Sequence, residues 1–196
     1  MRWPAEAVWE QVAPGLPGFT VEVLPEVAST NTELMRRARA GQLDPILLVA
    51  ERQTAGRGRL GRTWQSSPGD SLTFSFGLRL DPADWSGLSL AVGVAVAGAL
   101  HPAIRLKWPN DLWLDDHKLG GILIETAPAP AGGRYAIVGV GLNIAPRAAE
   151  GLSTPPAALR DLLPDLGAGD ALVRAVPALA AALARFEQGG FAAFQP

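Results

Sequence analysis

The spacing of apolar residues divides the chain into strands joined by short turns. Residues 71–78 alternate, with Leu72, Phe74, Phe76 and Leu78 on one face, which predicts a half-buried strand. Further short apolar runs predict strands at 20–27, 46–50, 104–107, 112–114, 121–125 and 135–144. Because the later strands follow one another without intervening helices, the pattern indicates an α+β fold with a mixed, mainly antiparallel sheet flanked by helices.

Capping residues and helical spacing predict the helices. Ser29-Thr30-Asn31-Thr32-Glu33 opens the first helix, in which Thr30 and Glu33 have the spacing of a capping box, and Gly41 is suited to end it. Further helices are predicted at 84–100, from Ser153-Thr154-Pro155 onward, and at 170–188, where Pro177 is the place for a kink.

Composition narrows the class of protein. With 196 residues, 48% of them hydrophobic and 18% charged, the chain is predicted to form one compact domain. The net charge of -2 argues against a dedicated nucleic-acid-binding protein, and the absence of cysteine excludes disulfides, thiolate metal sites and cysteine nucleophiles. The N-terminus lacks the apolar stretch of a signal peptide, and Leu88–Leu100 is too short to span a bilayer. We therefore expect a cytoplasmic enzyme or binding protein.

The arginine loop, Gly56-Arg57-Gly58-Arg59-Leu60-Gly61-Arg62, carries the clearest candidate chemistry. Its glycines permit close approach to a ligand and its arginines supply fixed positive charge, which together predict a site for phosphate or another anion. The loop also matches the glycine pattern of a dinucleotide-binding turn, but that turn opens a helix, whereas residues 63–70 predict a further loop. A Walker A loop is excluded because no Gly-Lys-Ser/Thr is present. The alternative is a surface loop with solvated arginines.

The chain has 17 basic residues, and the only two lysines among them, Lys107 and Lys118, each begin a distinct motif. Lys107-Trp108-Pro109-Asn110-Asp111 ends in an amide and a carboxylate, which suit Mg²⁺ and its phosphates, although Asn-Asp is also common in ordinary hairpin turns. Lys118-Leu119-Gly120-Gly121-Ile122-Leu123-Ile124-Glu125 is either part of the same site or an edge strand that begins with a lysine.

A further motif, Val138-Gly139-Val140-Gly141-Leu142-Asn143-Ile144, places two glycines inside a predicted strand. Glycine weakens a strand, so its presence there indicates that another group packs against the backbone. Asn143 offers an amide to the edge of a base, although asparagine is also common where strands end.

In this order the motifs resemble the catalytic domain of biotin protein ligases, and the resemblance runs from about Glu22 through the final helix. It implies the biotin and lipoate ligase fold, which is similar to that of class II aminoacyl-tRNA synthetases. It also implies a two-step reaction: biotin and ATP form biotinyl-5′-AMP, and the biotin then passes to a lysine of a biotin carboxyl carrier domain of acetyl-CoA carboxylase or a related carboxylase. Mg²⁺ is the implied cofactor.

The resemblance also implies roles for individual residues. Lys118, Arg57 and Arg59 are the expected catalytic residues, because positive charge must lie between two reacting anions. The expected biotin-binding residues are Ser29, Thr30, Asn31, Gln53, Arg57, Arg59, Lys118, Gly120 and Gly121. The expected nucleotide-binding residues are Arg59, Trp64, Lys107, Asn110 and Asn143, and the expected metal ligands are Asp111 and Asn110.

Residues 1–196 are expected to form a single catalytic domain. We expect no N-terminal helix-turn-helix domain, and hence no DNA binding, and no C-terminal β-barrel domain. We also expect no membrane association, and a monomer or a homodimer. Two alternatives remain open: a lipoate ligase, and a biotin-binding module without transfer activity.

Overall fold

One seven-stranded sheet organises the computed structural model, which describes residues 3–130, 132–148 and 154–194. The strands are β1 Thr20–Val27, β2 Ile46–Gln53, β3 Ser71–Leu80, β4 Arg105–Lys107, β5 Asp111–Leu114, β6 His117–Pro128 and β7 Arg134–Asn143. The α-helices of these ranges are α1 Ala5–Val12, α2 Thr30–Arg39, α3 Leu88–Leu100 and α4 Ala168–Gly189. None of the helices in the described ranges is long and apolar enough to cross a membrane.

The strand order is β1-β2-β3-β7-β6-β5-β4. β1 and β2 are parallel because α2 connects them, and the remaining pairs are antiparallel. The predicted α+β fold with a mixed, mainly antiparallel sheet is therefore confirmed. α1, α3 and α4 pack together on one face of the sheet, and α2 lies on the other face against β3, β6 and β7.

β3 is buried on both faces, so the prediction of a half-buried strand was wrong. Its apolar face packs into the main core, as predicted. Its opposite face carries Ser71, Thr73 and Ser75, and these are also buried, with Ser75 fully inaccessible. The reason is tertiary, because α2 packs over this side of β3. A row of polar groups thus lies inside the protein, where each needs a hydrogen-bond partner.

The start of α2 differs from the prediction in its capping residue. Ser29 is the N-cap, and its side chain accepts a hydrogen bond from Thr32 N at 3.4 Å. The predicted Thr30–Glu33 capping box is therefore wrong, because the Thr30 hydroxyl turns inward and Glu33 instead pairs with arginines on its own helix. The helix ends as predicted, with Gly41 in the left-handed region at φ 86°.

Other helix boundaries differ from the predicted ones for reasons that the local sequence does not reveal. α3 begins at Leu88 rather than at residue 84, after Gly87 with φ 82°, and α1 was not predicted. Thr154 and Pro155 are not helical, and Ser153 lies outside the described residues. α4 continues through Pro177, and the predicted kink there stays a prediction.

Tyr135 of β7 belongs to a second, smaller hydrophobic cluster, which lies under α2. Its hydroxyl donates a hydrogen bond to the Asp44 carbonyl at 3.1 Å, and burial raises the pKa of Tyr135 to about 12. Gly77 of β3 makes room for the ring: a Cβ at that position would lie 2.3 Å from Tyr135 Oη. Gly77 is thus required by packing between β3 and β7 rather than by backbone conformation.

We expect Gly77→Ala to lower the free energy of unfolding by about 1–3 kcal/mol, because the added methyl group overpacks the Tyr135 ring. Gly98→Ala is the matched control, since Gly98 lies in α3 and no other described part of the chain comes within 4 Å of the new Cβ. This control is expected to stabilise the chain by about 0.5–1 kcal/mol. Urea unfolding measures both, and equal effects from the two variants would contradict the packing role of Gly77.

Candidate active site

A cavity of about 640 Å³ lies between the start of α2, the arginine loop and the strands β5, β6 and β7. Its volume is in the range of small-molecule sites. The cavity is lined by thirteen of the fourteen residues that the sequence singled out: Ser29, Thr30, Asn31, Gln53, Arg57, Arg59, Trp64, Lys107, Asn110, Asp111, Lys118, Gly121 and Asn143. Gly120 is the exception. A Cβ there would lie 2.4 Å from the Gly141 carbonyl oxygen, so this glycine serves the approach of β6 to β7.

Two glycines of β7 form the floor of the cavity. A Cβ at Gly139 would lie 2.2 Å from Asn31 Oδ1, and a Cβ at Gly141 would lie 2.5 Å from the Trp64 ring. Both side chains therefore rest directly on the backbone of β7. The prediction that another group packs against these glycines is confirmed.

Neutral hydrogen-bonding groups form one end of the cavity, which we call the polar end: Ser29, Thr30, Asn31, Gln53 and, behind them, Ser75. Gln53 Oε1 accepts from Thr30 N at 2.8 Å and lies 3.2 Å from the Thr30 hydroxyl. Ser75 Oγ lies 2.7 Å from the Thr30 hydroxyl and donates to Asn31 Oδ1 at 2.6 Å. Since Ser75 has a single hydrogen, the Thr30 hydroxyl donates either to Ser75 or to Gln53. A ligand that competes for Gln53 can thus be accommodated without leaving a buried group unpaired.

Positive charge is concentrated around the rest of the cavity. Six side chains with cationic groups line it among the described residues, whereas the carboxylate of Asp111 is the single acidic group lining it there. Both lysines of the chain are included, although the chain as a whole has a net charge of -2. The six are Arg57, Arg59, Arg62, Lys107, Lys118 and Arg147. Such a surface favours an anionic ligand.

Lys118 and Asp111 form an ion pair at the ends of β6 and β5. The Lys118 Nζ lies 2.8 Å from Asp111 Oδ1, and both side chains are half-buried. Asn110 donates to the Ile122 carbonyl at 2.7 Å and accepts from Arg59 Nη1 at 3.3 Å. The Lys107 Nζ lies 3.6 Å from the centroid of the Trp113 ring, a cation–π contact. The two lysine motifs therefore meet the arginine loop at one place.

The arginine loop is a small hairpin with its own backbone hydrogen bonds. Gly58 N donates to Arg62 O at 2.7 Å, and Trp64 N donates to Gly56 O at 2.8 Å. The tip turns through Leu60 and Gly61, with φ of 56° and 72°, and the Leu60 side chain is 88% exposed. A non-glycine residue in the left-handed region is uncommon and costs backbone strain.

Arg147 lies across Trp64 and is a cavity residue that the sequence motifs did not predict. Its guanidinium carbon is 5.7 Å from the Trp64 ring, and its Nη1 donates to the Gln65 carbonyl at 3.2 Å. Burial lowers the pKa of Arg147. Its Nε is buried without a hydrogen-bond partner among the described residues. Nothing in the local sequence distinguished Arg147 from a surface arginine, because it follows a strand by several residues.

Ser75 and Glu125 were also missed, and for these the sequence held a signal. Ser75 occupies a polar position between the apolar residues of β3, which is unremarkable until α2 covers that face. Glu125 ends the Lys118 motif and contacts both Asn31 and Arg57. A carboxylate at the end of a predicted apolar strand was the available signal.

Asn143 has a structural role in addition to its place in the cavity. Its Nδ2 donates to the Lys118 carbonyl at 3.2 Å and to the Ala157 carbonyl at 2.9 Å. The side chain is buried, and its Oδ1 has no hydrogen-bond partner among the described residues. Asn143 thus ties the segment around Ala157 to β6 and leaves one buried acceptor unused.

Comparison with known proteins identifies the family. The model of the biotin/lipoate A/B protein ligase family matches residues 23–143. The chain therefore belongs to this family.

Individual relatives agree with that assignment. The bifunctional ligase/repressor BirA of Escherichia coli is 41% identical over 148 residues, 72% of this chain and 46% of the relative. A biotin–[acetyl-CoA-carboxylase] ligase of Mycobacterium tuberculosis is 39% identical over 135 residues, 63% of this chain and 49% of the relative. The chain thus spans about half the length of these curated relatives.

A solved structure shares the fold as well. The biotin protein ligase of Aquifex aeolicus in complex with biotin and ATP superposes with a TM-score of 0.69 at 30% identity, covering 87% of this chain and 73% of that one. The fold expected from the resemblance is confirmed.

We expect Asn143→Asp to destabilise the chain more than Asn143→Ala. Alanine leaves two carbonyls without their donor, at a cost of about 1–3 kcal/mol, whereas an ionised aspartate adds a buried charge facing those carbonyls. That environment raises the folded-state pKa of the new carboxyl above its unfolded value of about 3.9. The deficit should therefore shrink as the pH falls from the raised folded-state pKa toward about 4 and change no further below that, because the protonated carboxyl can donate.

Urea unfolding at pH 7 and at pH 3.5 measures both Asn143 variants against the parent chain. An alanine variant with a constant deficit and an aspartate variant with a smaller deficit at pH 3.5 fit the assigned hydrogen bonds. The assignment is wrong if the two variants respond alike to pH.

Proposed function

We propose that the chain is an ATP-dependent ligase that forms biotinyl-5′-AMP from biotin and ATP and then transfers the biotin to a lysine of a biotin carboxyl carrier domain. The observation that carries the proposal is the division of one cavity into a neutral polar end and a cationic part. Gly139 and Gly141, which support Asn31 and Trp64, are about 7 Å apart along β7. A ligand with an uncharged cyclic urea at one end, an apolar stem and a carboxylate at the other matches that division.

The polar end supplies what a cyclic urea requires, which is neutral donors and acceptors. Ser29, Thr30, Asn31 and Gln53 would hold the ureido ring, and Trp64 would cover the apolar stem. Lipoate presents an apolar dithiolane ring instead, which would leave these buried polar groups without partners at a cost of about 1–3 kcal/mol for each unpaired group. This favours biotin over the lipoate alternative.

In the first step, a carboxylate oxygen of biotin attacks the α-phosphorus of ATP. The new P–O bond gives biotinyl-5′-AMP, and the bond to the β-phosphate breaks with release of pyrophosphate. Two anions must approach each other, so fixed positive charge at their meeting point lowers the barrier. Lys118 is proposed to bridge the biotin carboxylate and the α-phosphate, with Arg57 and Arg59 as the cations of the loop above.

In the second step, the amine of a carrier lysine attacks the acyl carbon of biotinyl-5′-AMP. An amide bond forms, the acyl–phosphate bond breaks, AMP leaves and the amine loses a proton. Water would compete for the same acyl carbon, so the arginine loop is proposed to shield the intermediate until the carrier arrives.

Asn143, Trp64, Arg147 and Lys107 are proposed to contact the nucleotide. The unused Asn143 Oδ1 is an acceptor suited to the amino group of adenine, which would satisfy an otherwise unpaired buried atom. Arg147 presents a buried Nε without a partner among the described residues, and a nucleotide phosphate would supply one.

Asn110 and Asp111 fit a Mg²⁺ ion that arrives with ATP better than one held by the protein alone. Among the described residues no group of three or more acidic or histidine side chains could hold a metal. Mg²⁺ commonly uses one or two carboxylates together with water and substrate phosphates, and Asp111 supplies one. When bound, the ion would neutralise phosphate charge. Lys118 currently pairs with Asp111, so its Nζ would have to turn to the substrate.

The carrier partner is proposed from the relative named as a ligase of acetyl-CoA carboxylase. The expectations of no DNA binding, of a monomer or homodimer, and of a single catalytic domain stay predictions.

We expect Lys118→Ala to lower biotin-dependent ATP–pyrophosphate exchange by about 100-fold or more, the usual cost of removing a group that stabilises transition-state charge. Arg79→Ala is the matched control, because Arg79 is an exposed cation of β3 that does not line the cavity. Circular dichroism verifies that both variants fold.

Transfer is tested separately by incubating the chain with labelled biotin, ATP and a biotin carboxyl carrier domain. Exchange followed by labelling of the carrier supports the ligase, and exchange without labelling supports an activating module. Exchange that occurs equally with lipoate would overturn the proposal, and exchange that survives Lys118→Ala would remove Lys118 from the proposed mechanism.

A further inference from the structure

Glu125 lies where the arginine loop meets the polar end of the cavity. It belongs to β6, opposite Ile137 of β7, and its side chain is 23% exposed. One carboxylate oxygen, Oε2, accepts from Asn31 Nδ2 at 3.0 Å and from Arg57 Nη1 at 3.3 Å. The other, Oε1, accepts from Arg57 Nη2 at 3.1 Å. The Glu125 side chain thus contacts both Arg57 of the arginine loop and Asn31 at the polar end of the cavity.

Apart from its contact with Glu125, the Asn31 amide is held by neighbouring groups of the protein core. Its Oδ1 accepts from Ser75, and its Nδ2 donates to the Leu123 carbonyl at 3.1 Å as well as to Glu125. Gly139 lies directly beneath, so the amide has no room to move toward β7. The position of Asn31 therefore depends on Glu125 for its second donor contact.

The arginine loop reaches the body of the protein through arginine side chains. Its backbone hydrogen bonds are internal to the hairpin. Arg57 connects it to Glu125 by two nitrogens and to the Thr32 hydroxyl at 3.3 Å, and Arg59 connects it to Asn110. The Arg57 contact has the two-pronged geometry that makes an arginine–carboxylate pair directional.

We infer that Glu125 is a positioning residue that couples the arginine loop to the Asn31 amide. The one carboxylate holds the loop down through Arg57 and holds Asn31 in the orientation that a ligand meets at the polar end. The inference rests on the proposed function for the identity of that ligand, but the anchoring of the loop is independent of it. It also gives Arg57 a task distinct from that of Arg59, since the Arg57 guanidinium is already engaged by a carboxylate.

The first test measures the loop without ligand. In Glu125→Gln the side chain keeps its shape and an oxygen for Asn31, but it loses the charge that holds Arg57. We expect trypsin to cleave after Arg59 and Arg62 about fivefold faster than in the parent chain, as followed by mass spectrometry of the intact protein. Glu26→Gln is the matched control, because it breaks the exposed Arg52–Glu26 pair of the same sheet, outside the cavity. This control is expected to change the cleavage rate by less than twofold.

The second test measures the ligand side of the coupling. Glu125→Gln is expected to raise the KM for biotin several-fold in ATP–pyrophosphate exchange, and by a larger factor than the KM for ATP, because the Asn31 contact is weakened whereas Arg59 keeps its contact with Asn110. A residue that only supports the fold would shift both constants alike. Arg57→Gln breaks the same ion pair from the exposed side, and the double variant should be cleaved no faster than the faster single variant.

The cleavage rates and the KM for biotin can each contradict the role inferred for Glu125. Cleavage of Glu125→Gln at the rate of the control overturns it, and so does a released loop with an unchanged KM for biotin. If Glu125→Gln does not fold, as judged by circular dichroism, unchanged cleavage of Arg57→Gln overturns it instead. If the parent chain shows no biotin-dependent exchange, the proposed function fails, and the cleavage rates alone decide whether Glu125 anchors the loop.

Discussion

The absence of side chains at two positions of β7 determines how the cavity is built. Gly139 and Gly141 let Asn31 and Trp64 lie directly against the strand, and any larger residue would lift both away from it. Gly120 permits the neighbouring strand to approach equally closely. The sheet therefore contributes bare backbone as a floor, together with the side chains of Gln53, Lys118 and Asn143 near the strand ends. The start of α2, the arginine loop and the turn that ends at Asp111 reach over that floor.

Periodicity and motif order predicted much of this arrangement. Every predicted strand is present, because alternation and turn residues are local signals that the sheet preserves. Nearly all of the residues that the sequence singled out line the cavity, since the motifs combine glycines or turn residues with polar or charged side chains. What local sequence could not show was burial imposed from a distance. The alternation of β3 predicted that Ser75 faces solvent, but α2 covers it. The local sequence predicted Thr30 as a helix cap, but its hydroxyl contacts Ser75 and Gln53 inside the protein.

The same limit applies to Arg147 and Glu125. Their importance depends on which groups they face across the sheet, and charge type alone does not reveal that. Arg147 matters because it packs against Trp64. Glu125 matters because it contacts two segments that are more than sixty residues away in the chain. When hydrogen-bond partners are shared in this way, losing one member of the network costs more stability than losing a single pair, because several groups are left unsatisfied.

The separation of charge within the chain has a consequence for kinetics. Among the residues that the structure describes, six cationic side chains and one carboxylate line the cavity, so the remainder of the protein carries more negative charge than the net value of -2 suggests. Field lines from such a distribution converge on the cavity mouth and draw small anions there faster than free diffusion would. Ionic strength screens this attraction over a distance of about 8 Å at physiological salt. The capture rate of a triphosphate should therefore fall with added salt much more steeply than that of a ligand with a single negative charge.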